Sequence, residues 1–206
     1  MAVLLGLKGS MTQVFDDEGR AWPATAIDVS SCVVVGHRTV EKSGYSAVQL
    51  GVGRPSKRGL TKPVAGHFKK AGVEPVRYLR EVRVVSAEGL EPGKKPGTGQ
   101  FQAGDMVDVT GWTKGRGFAG GVKRWGWKTG PRTHGNMSHR RIGSVGAGTS
   151  PGRVLKGRTL PGQYGNERVT IRKLKVVGID AERGQLFVTG AVPGGKGGLL
   201  VVRKRA

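Results

Sequence analysis

The feature that most constrains this chain is a long stretch without acidic residues. Residues 109–166, fifty-eight consecutive positions, contain no aspartate or glutamate. The stretch holds fifteen glycines and three of the four tryptophans in the chain. A segment so cationic and so rich in glycine is poorly suited to packing on its own protein, and its charge favours a polyanion as partner. Its eleven cations are Lys114, Arg116, Lys123, Arg124, Lys128, Arg132, Arg140, Arg141, Arg153, Lys156 and Arg158.

The acid-free segment is not expected to fold by itself. Burial of its larger apolar side chains would offset only part of the conformational entropy lost when the backbone is ordered. The glycines raise that entropy loss, and repulsion among the cations adds to it. We therefore expect the segment to be mobile in the free protein and ordered when bound to its partner.

The rest of the chain is typical of a small β-barrel or β-sandwich, with short strands separated by turn residues. The apolar alternation changes phase between Ile171 and Leu174, which predicts a bulge or bend. Because strands flank the acid-free segment on both sides, we interpret the segment as an insertion in a β-domain. Strands are predicted at 2–7, 11–15, 21–29, 31–40, 45–52, 77–85, 105–109, 169–176, 186–188 and 199–202.

One helix is predicted at 63–71. Pro63 suits its first turn and Gly72 suits its end. Val64 and Phe68 are four residues apart, so both are expected to dock the helix. His67 is expected at the surface of this helix.

A glycine motif within the acid-free segment suggests an alternative function. Gly115, Gly117 and Gly120 form a G-x-G-x-x-G directly after a predicted strand. A dinucleotide site would also need a helix next and an acidic residue about 20 residues further on. Residues 121–127 make a poor helix, and the next acid is Glu167. A dinucleotide-dependent enzyme is therefore a disfavoured alternative, and the glycines better suit close approach to a phosphodiester chain.

Other catalytic and metal sites find little support in the sequence. His134 and His139 have no carboxylate near them in the chain, and metal ligands are not clustered. The single cysteine, Cys32, lies in an apolar run and is predicted to be a buried apolar residue. We expect no cofactor, no metal ion and no enzymatic activity. A cytosolic location is expected, because the sequence has neither a signal peptide nor an apolar run of membrane-spanning length.

The acid-free segment fits nucleic acid best. Lys and Arg neutralise phosphates, and aromatic rings stack on unpaired bases. RNA is favoured over duplex DNA because a long irregular loop suits folded RNA with unstacked bases. A general nucleic-acid-compacting protein remains the alternative. Trp112 is expected to pack on protein, whereas both roles stay open for Trp125 and Trp127. For the two histidines of the segment, two roles stay open: binding a phosphate or bracing the loop. The candidate RNA-binding residues are the eleven cations together with Trp125, Trp127, His134 and His139.

Short motifs occur along nearly the whole chain. Taken in order, they resemble those of the bacterial-type ribosomal large-subunit protein three family. The matching stretches are 11–15, 66–68, 114–120, 122–125, 133–136, 138–140, 143–144, 150–152, 165–170 and 190–194.

The resemblance implies a mainly β fold. A small β-barrel domain would comprise 1–110 and 165–206, with a short helical and loop insertion at about 55–100. Residues 111–164 would be a long, basic, irregular internal extension that penetrates ribosomal RNA. Ser10 stands where relatives usually have glycine, which affects only the expected local turn.

The resemblance also implies a function. The protein would be a structural constituent of the large ribosomal subunit that binds near the 3′ end of the large-subunit (23S) rRNA and nucleates assembly. Ribosomal proteins fourteen and nineteen would be its neighbours. The protein would bind neither a membrane nor a small-molecule substrate. Thr149 occupies the position of a glutamine that is methylated in some relatives, so that modification is not expected. The extension tip, approaching the peptidyl-transferase region, would be Val145, Gly146, Ala147, Gly148, Thr149, Ser150, Pro151 and Gly152.

Overall fold

A computed structural model describes residues 2–16, 18–55, 60–84 and 90–205 of the chain. The chain divides into two compact units. The first, which we call the β-unit, comprises Met1–Thr113 and Arg168–Ala206. The second, the basic unit, is Lys114–Glu167 and is inserted in the chain between two strands of the first.

Strands dominate the described residues, and the helices are few and short, so the predicted mainly β class is confirmed. A 3-10 turn lies at Thr98–Gln100. The elements in chain order are β1 (Val3–Phe15), β2 (Ala21–Asp28), β3 (Val33–Arg38), α1 (Val40–Ser43), β4 (Ala47–Val52), α2 (Lys62–Ala71), β5 (Tyr78–Arg83), β6 (Met106–Trp112), β7 (Phe118–Ala119), α3 (Gly121–Trp125), β8 (Gly162–Gln163), β9 (Arg168–Asp180), β10 (Gln185–Thr189) and β11 (Leu199–Lys204).

Six antiparallel strands of the β-unit form a closed ring in the order β1-β11-β6-β9-β10-β2, and β2 pairs again with β1. Strands β3, β4 and β5 form a separate sheet. One hydrophobic core includes residues from both sheets, among them Leu4, Leu200 and Val48. On β6 the side chains of Val107 and Val109 are fully buried while Met106 is exposed, as the alternation predicts.

The bulge predicted from the phase change in β9 is confirmed. Val109 pairs with Ile171 and Val107 pairs with Leu174, so Asp108 alone faces two residues of β9. Lys173 takes a φ of +60°, and its backbone N–H donates to Asp108 Oδ1 at 3.0 Å. The extra residue thus keeps Ile171 and Leu174 on the face of the sheet that carries the buried Val109 and Val107.

Helix α2 confirms the predicted helix but corrects its docking. Gly72 ends it in the left-handed conformation, as expected. Phe68 is buried in a small cluster with Val33 and Val35. Val64, predicted to dock with Phe68, is 42% exposed, so that part of the prediction is wrong. Helix α2 therefore docks through Phe68, with Ala71 at its end packed on the same cluster.

Several predicted boundaries in the first half of the chain differ from the structure. The strands predicted at 2–7 and 11–15 are one strand, β1, with a register shift between Lys8 and Met11. A Cβ on Gly9 would lie 2.9 Å from the carbonyl oxygen of Ala26, so only glycine fits this close approach. The strand predicted at 31–40 ends at Arg38, since Val40 begins α1. Of the strand predicted at 77–85, residue 85 lies outside the described residues.

Cys32 is buried in the main core, as predicted. Burial raises the pKa of its thiol to about 11. A thiol with so high a pKa is a poor nucleophile at neutral pH.

Candidate nucleic-acid interface

The two ends of the basic unit are held together by a short antiparallel neck, formed by residues 116–119 and 162–165. Strands β7 and β8 pair here, with Phe118 opposite Gln163 and Ala119 opposite Gly162. Two further backbone hydrogen bonds, each 2.9 Å, run from Arg116 N to Tyr164 O and from Tyr164 N to Gly117 O. The Arg116 guanidinium also lies over the Tyr164 ring at 5.1 Å. The role of Tyr164 could not be predicted from the sequence, because its backbone pairing leaves no local sequence signal.

The G-x-G-x-x-G motif builds this neck. Gly117 has a φ of +64°, and its carbonyl accepts the Tyr164 amide. Gly120 is the N-cap residue of α3, which ends after five residues, as expected of a poor helix-forming sequence. Arg116 N and Gly117 O pair with Tyr164, while the three glycines of the motif are exposed, so their close approach to a phosphodiester chain stays a prediction.

The tryptophans divide between the two units. Trp112, in the β-unit, packs against the core and carries Arg80 over its ring at 5.2 Å, which confirms its predicted packing role. Trp127 is partly buried and covers Gly121, where a Cβ would lie 1.9 Å from the indole. Trp125 is 48% exposed, and its Nε1 donates to Leu160 O at 2.9 Å. The Arg124 guanidinium lies over the Trp125 ring, 4.9 Å from its centroid, so this exposed indole already carries a cation, whereas Trp127 packs on Gly121.

Beyond the neck the basic unit is open to solvent. Every residue from 137 to 159 is exposed, and so are ten of the eleven cations. The eleventh, Arg124, is half-buried and its Nη1 donates to Leu160 O at 2.8 Å. Arg158 Nη2 donates to Ser144 O at 3.0 Å. Apart from Glu167 at its end the unit contains no acid, so its exposed surface is strongly positive.

Residues 129–140 form a closed loop, which we call the Gly130 loop. The amide of Gly130 donates to His139 O at 3.0 Å. His139 Nδ1 lies 2.9 Å from Pro131 O, so this imidazole braces the loop. His134 is exposed and has a φ of +60°.

The predicted tip, residues 145–152, is exposed throughout. Few hydrogen bonds order it: Gly152 N donates to Gly148 O at 3.1 Å, and Ser144 Oγ donates to Gly146 O at 3.1 Å. The Ser150–Pro151 peptide bond is cis. A tip with small side chains and little internal packing is shaped by whatever it contacts.

Within the described residues, no group of three or more His, Cys, Asp or Glu side chains is placed to hold a metal ion. No described helix is long and apolar enough to cross a membrane. Exposed cations, an exposed aromatic ring and an irregular backbone are the features expected of a surface in the nucleic-acid-binding class of proteins.

Comparison with known proteins identifies the family. Residues 85–192 match the family model described as "Ribosomal protein L3". The chain is 52% identical over 203 residues to "Large ribosomal subunit protein uL3" of Thermotoga petrophila, covering 98% of this chain and 97% of the relative. It is 53% identical over 203 residues to the protein of the same name in Pelotomaculum thermopropionicum, covering 98% and 96%.

The chain belongs to the ribosomal protein L3 family. Members of this family are structural ribosomal proteins, which confirms the prediction that the chain is not an enzyme. The alternative of a dinucleotide-dependent enzyme is thereby excluded.

Proposed function

We propose that this chain is a structural constituent of the large ribosomal subunit and binds its rRNA through the basic unit. The observation that carries the proposal is the exposure of ten cations on a unit with a single acid at its end. Crowded RNA phosphates repel one another. Lys and Arg side chains placed between RNA segments neutralise these phosphates, so the segments can lie close to one another. The names of its relatives, large ribosomal subunit protein uL3, support the same assignment.

The finer proposal concerns where each part of the chain binds. The β-unit, whose closed ring we interpret as a small β-barrel, supports a basic unit that lies in rRNA near the 3′ end of the 23S molecule and nucleates assembly there. The tip at 145–152 approaches the peptidyl-transferase region, and ribosomal proteins fourteen and nineteen are the neighbours. Exposure of the whole tip supports this division, since side chains that do not pack on the protein are available to RNA.

The contact residues that we propose lie on the basic unit and carry a cationic or aromatic group, and all but Arg124 and Trp127 are exposed. Arg124 is assigned a bracing role besides any RNA contact, because its guanidinium bonds Leu160 O. Trp127 braces Gly121 and is assigned the same double role. The others are Lys114, Arg116, Lys123, Trp125, Lys128, Arg132, His134, His139, Arg140, Arg141, Arg153, Lys156 and Arg158.

Competition binding tests this proposal. The full chain is bound to the 3′ domain of 23S rRNA at physiological salt and challenged with duplex DNA of equal phosphate content. We expect DNA to compete poorly, because an irregular cationic surface matches folded RNA. Equal competition by DNA would replace the proposal with a general nucleic-acid-compacting protein.

A further inference from the structure

The Gly130 loop has a built structure within an otherwise open unit. Asn136 Nδ2 donates to Pro131 O at 3.0 Å, and Ser138 N donates to Asn136 Oδ1 at 2.9 Å. These bonds add to the Gly130–His139 backbone bond and the His139–Pro131 contact already described. A short loop held at four points keeps its shape before any ligand arrives, which lowers the entropy cost of binding.

The loop leaves no room for a side chain at its base. A Cβ on Gly130 would lie 2.4 Å from Asn136 Nδ2 and 2.7 Å from Ser138 O. Alanine at this position would displace the side chain of Asn136, which holds the loop closed. The geometry of the loop thus depends on a glycine that carries no charge and makes no side-chain contact itself.

A cavity of about 340 Å³ opens in this loop, lined by Thr129, Gly130, Arg132, His139 and Arg140. The lining offers two guanidinium groups, a hydroxyl and an imidazole, with no carboxylate among them. The Pro131 carbonyl can only accept, so His139 Nδ1 carries the proton and Nε2 is the ring nitrogen left for a ligand. Two guanidinium groups that line one cavity, with no carboxylate beside them, are suited to a phosphate ligand.

The cavity is larger than a phosphate group alone requires. Its volume is at the lower end of small-molecule sites and equals that of about ten water molecules. A nucleotide therefore fits better than a bare anion.

We propose that the Gly130 loop is a preformed receptor for one unpaired nucleotide of RNA, whose phosphate is held by Arg132 and Arg140. This rests on the proposed function and names the element of RNA that the site recognises. The bases of a regular duplex are stacked and paired, so a bulged nucleotide is the one that can enter a cavity.

The test uses the full chain and two RNA hairpins that differ by one bulged nucleotide. We expect the wild-type chain to bind the bulged hairpin with about tenfold higher affinity, because a hydrogen bond to a charged group contributes about this much. Gly130→Ala should abolish this preference without changing the net charge. Gly120→Ala is the matched control, because its Cβ would meet nothing within 4 Å, and it should keep the preference.

A second pair of variants keeps the test decisive if Gly130→Ala does not fold, which circular dichroism reports. Arg132→Gln should lose the preference, whereas Arg153→Gln, an exposed cation outside the cavity, should weaken both hairpins alike. Equal affinity of the wild-type chain for the two hairpins would overturn the inference, as would an unchanged preference in Gly130→Ala or Arg132→Gln. If the chain still prefers rRNA over DNA in that case, the proposed function stands and only the receptor fails.

Discussion

Replacement of Gly165 by alanine would test whether the neck fixes the base of the basic unit. Gly165 is buried and has a φ of +72°, a conformation that L-residues other than glycine rarely adopt. A Cβ here would lie 2.0 Å from the carbonyl oxygen of Lys114 and 3.2 Å from the Cα of Gly115. Both neighbours are backbone atoms, so no side chain can turn aside to make room.

The expected cost follows from these contacts. The left-handed conformation costs alanine about 1–2 kcal/mol. The clash also forces the two strands of the neck apart, which removes the hydrogen bonds between Arg116 and Tyr164 and between Tyr164 and Gly117. Each is worth about 0.5–1.5 kcal/mol. We therefore expect the free energy of opening the neck to fall by about 2–5 kcal/mol.

Native-state hydrogen exchange at the amides of Arg116 and Tyr164 measures this change. In Gly165→Ala both amides should exchange at least about 30-fold faster than in the wild-type chain, at 1.4 kcal/mol per factor of ten. Gly157→Ala is the control: Gly157 has a φ of +82° but open space around its Cβ. The reasoning is refuted if Gly157→Ala accelerates these two amides as much as Gly165→Ala does.

Three further predictions concern the β-unit. Hydrogen bonds from Tyr45, Gln49 and Arg38, of which that from the Tyr45 hydroxyl has the largest effect, lower the pKa of the Glu81 carboxyl from 4.5 to about 2. This stabilisation is present above pH 4.5 and lost as the pH falls toward 2, so in denaturant titrations the advantage of the wild-type chain over Glu81→Gln should shrink across that window. The thiol of Cys32 should react with a disulfide reagent at neutral pH only at the rate of unfolding, because it is buried and its pKa is raised to about 11; rapid labelling of native protein would contradict this. Phe68→Ala should lower the free energy of unfolding by about 3–5 kcal/mol and Val64→Ala by less than about 1 kcal/mol, as measured by urea denaturation; equal losses would refute the docking described for α2.

Features set by local chemistry could be predicted from the sequence. The bulge in β9 follows from an apolar phase change, because a strand that keeps both halves facing the core must take an extra residue at the change. The end of α2 follows from Gly72, which adopts the left-handed conformation without strain. The burial of Cys32 follows from the valines beside it.

Features set by contacts between distant residues could not be predicted. Close approach of Gly9 to Ala26 lets β1 continue through a register shift, and only the paired strand creates that constraint. Similarly, the cations of the basic unit are evident from composition, but which aromatic rings stay open is not. Trp127 is covered because the chain turns back onto Gly121, and neither residue alone indicates that contact.

Ultraviolet cross-linking of intact large ribosomal subunits, followed by mass spectrometry of peptides from this chain, tests the central claim most directly. Most rRNA cross-links should map to the basic unit, Lys114–Glu167, and those from residues 145–152 should carry nucleotides of the peptidyl-transferase region. The account is contradicted if the chain is absent from purified subunits, or if its cross-links lie on the β-unit while the basic unit has none.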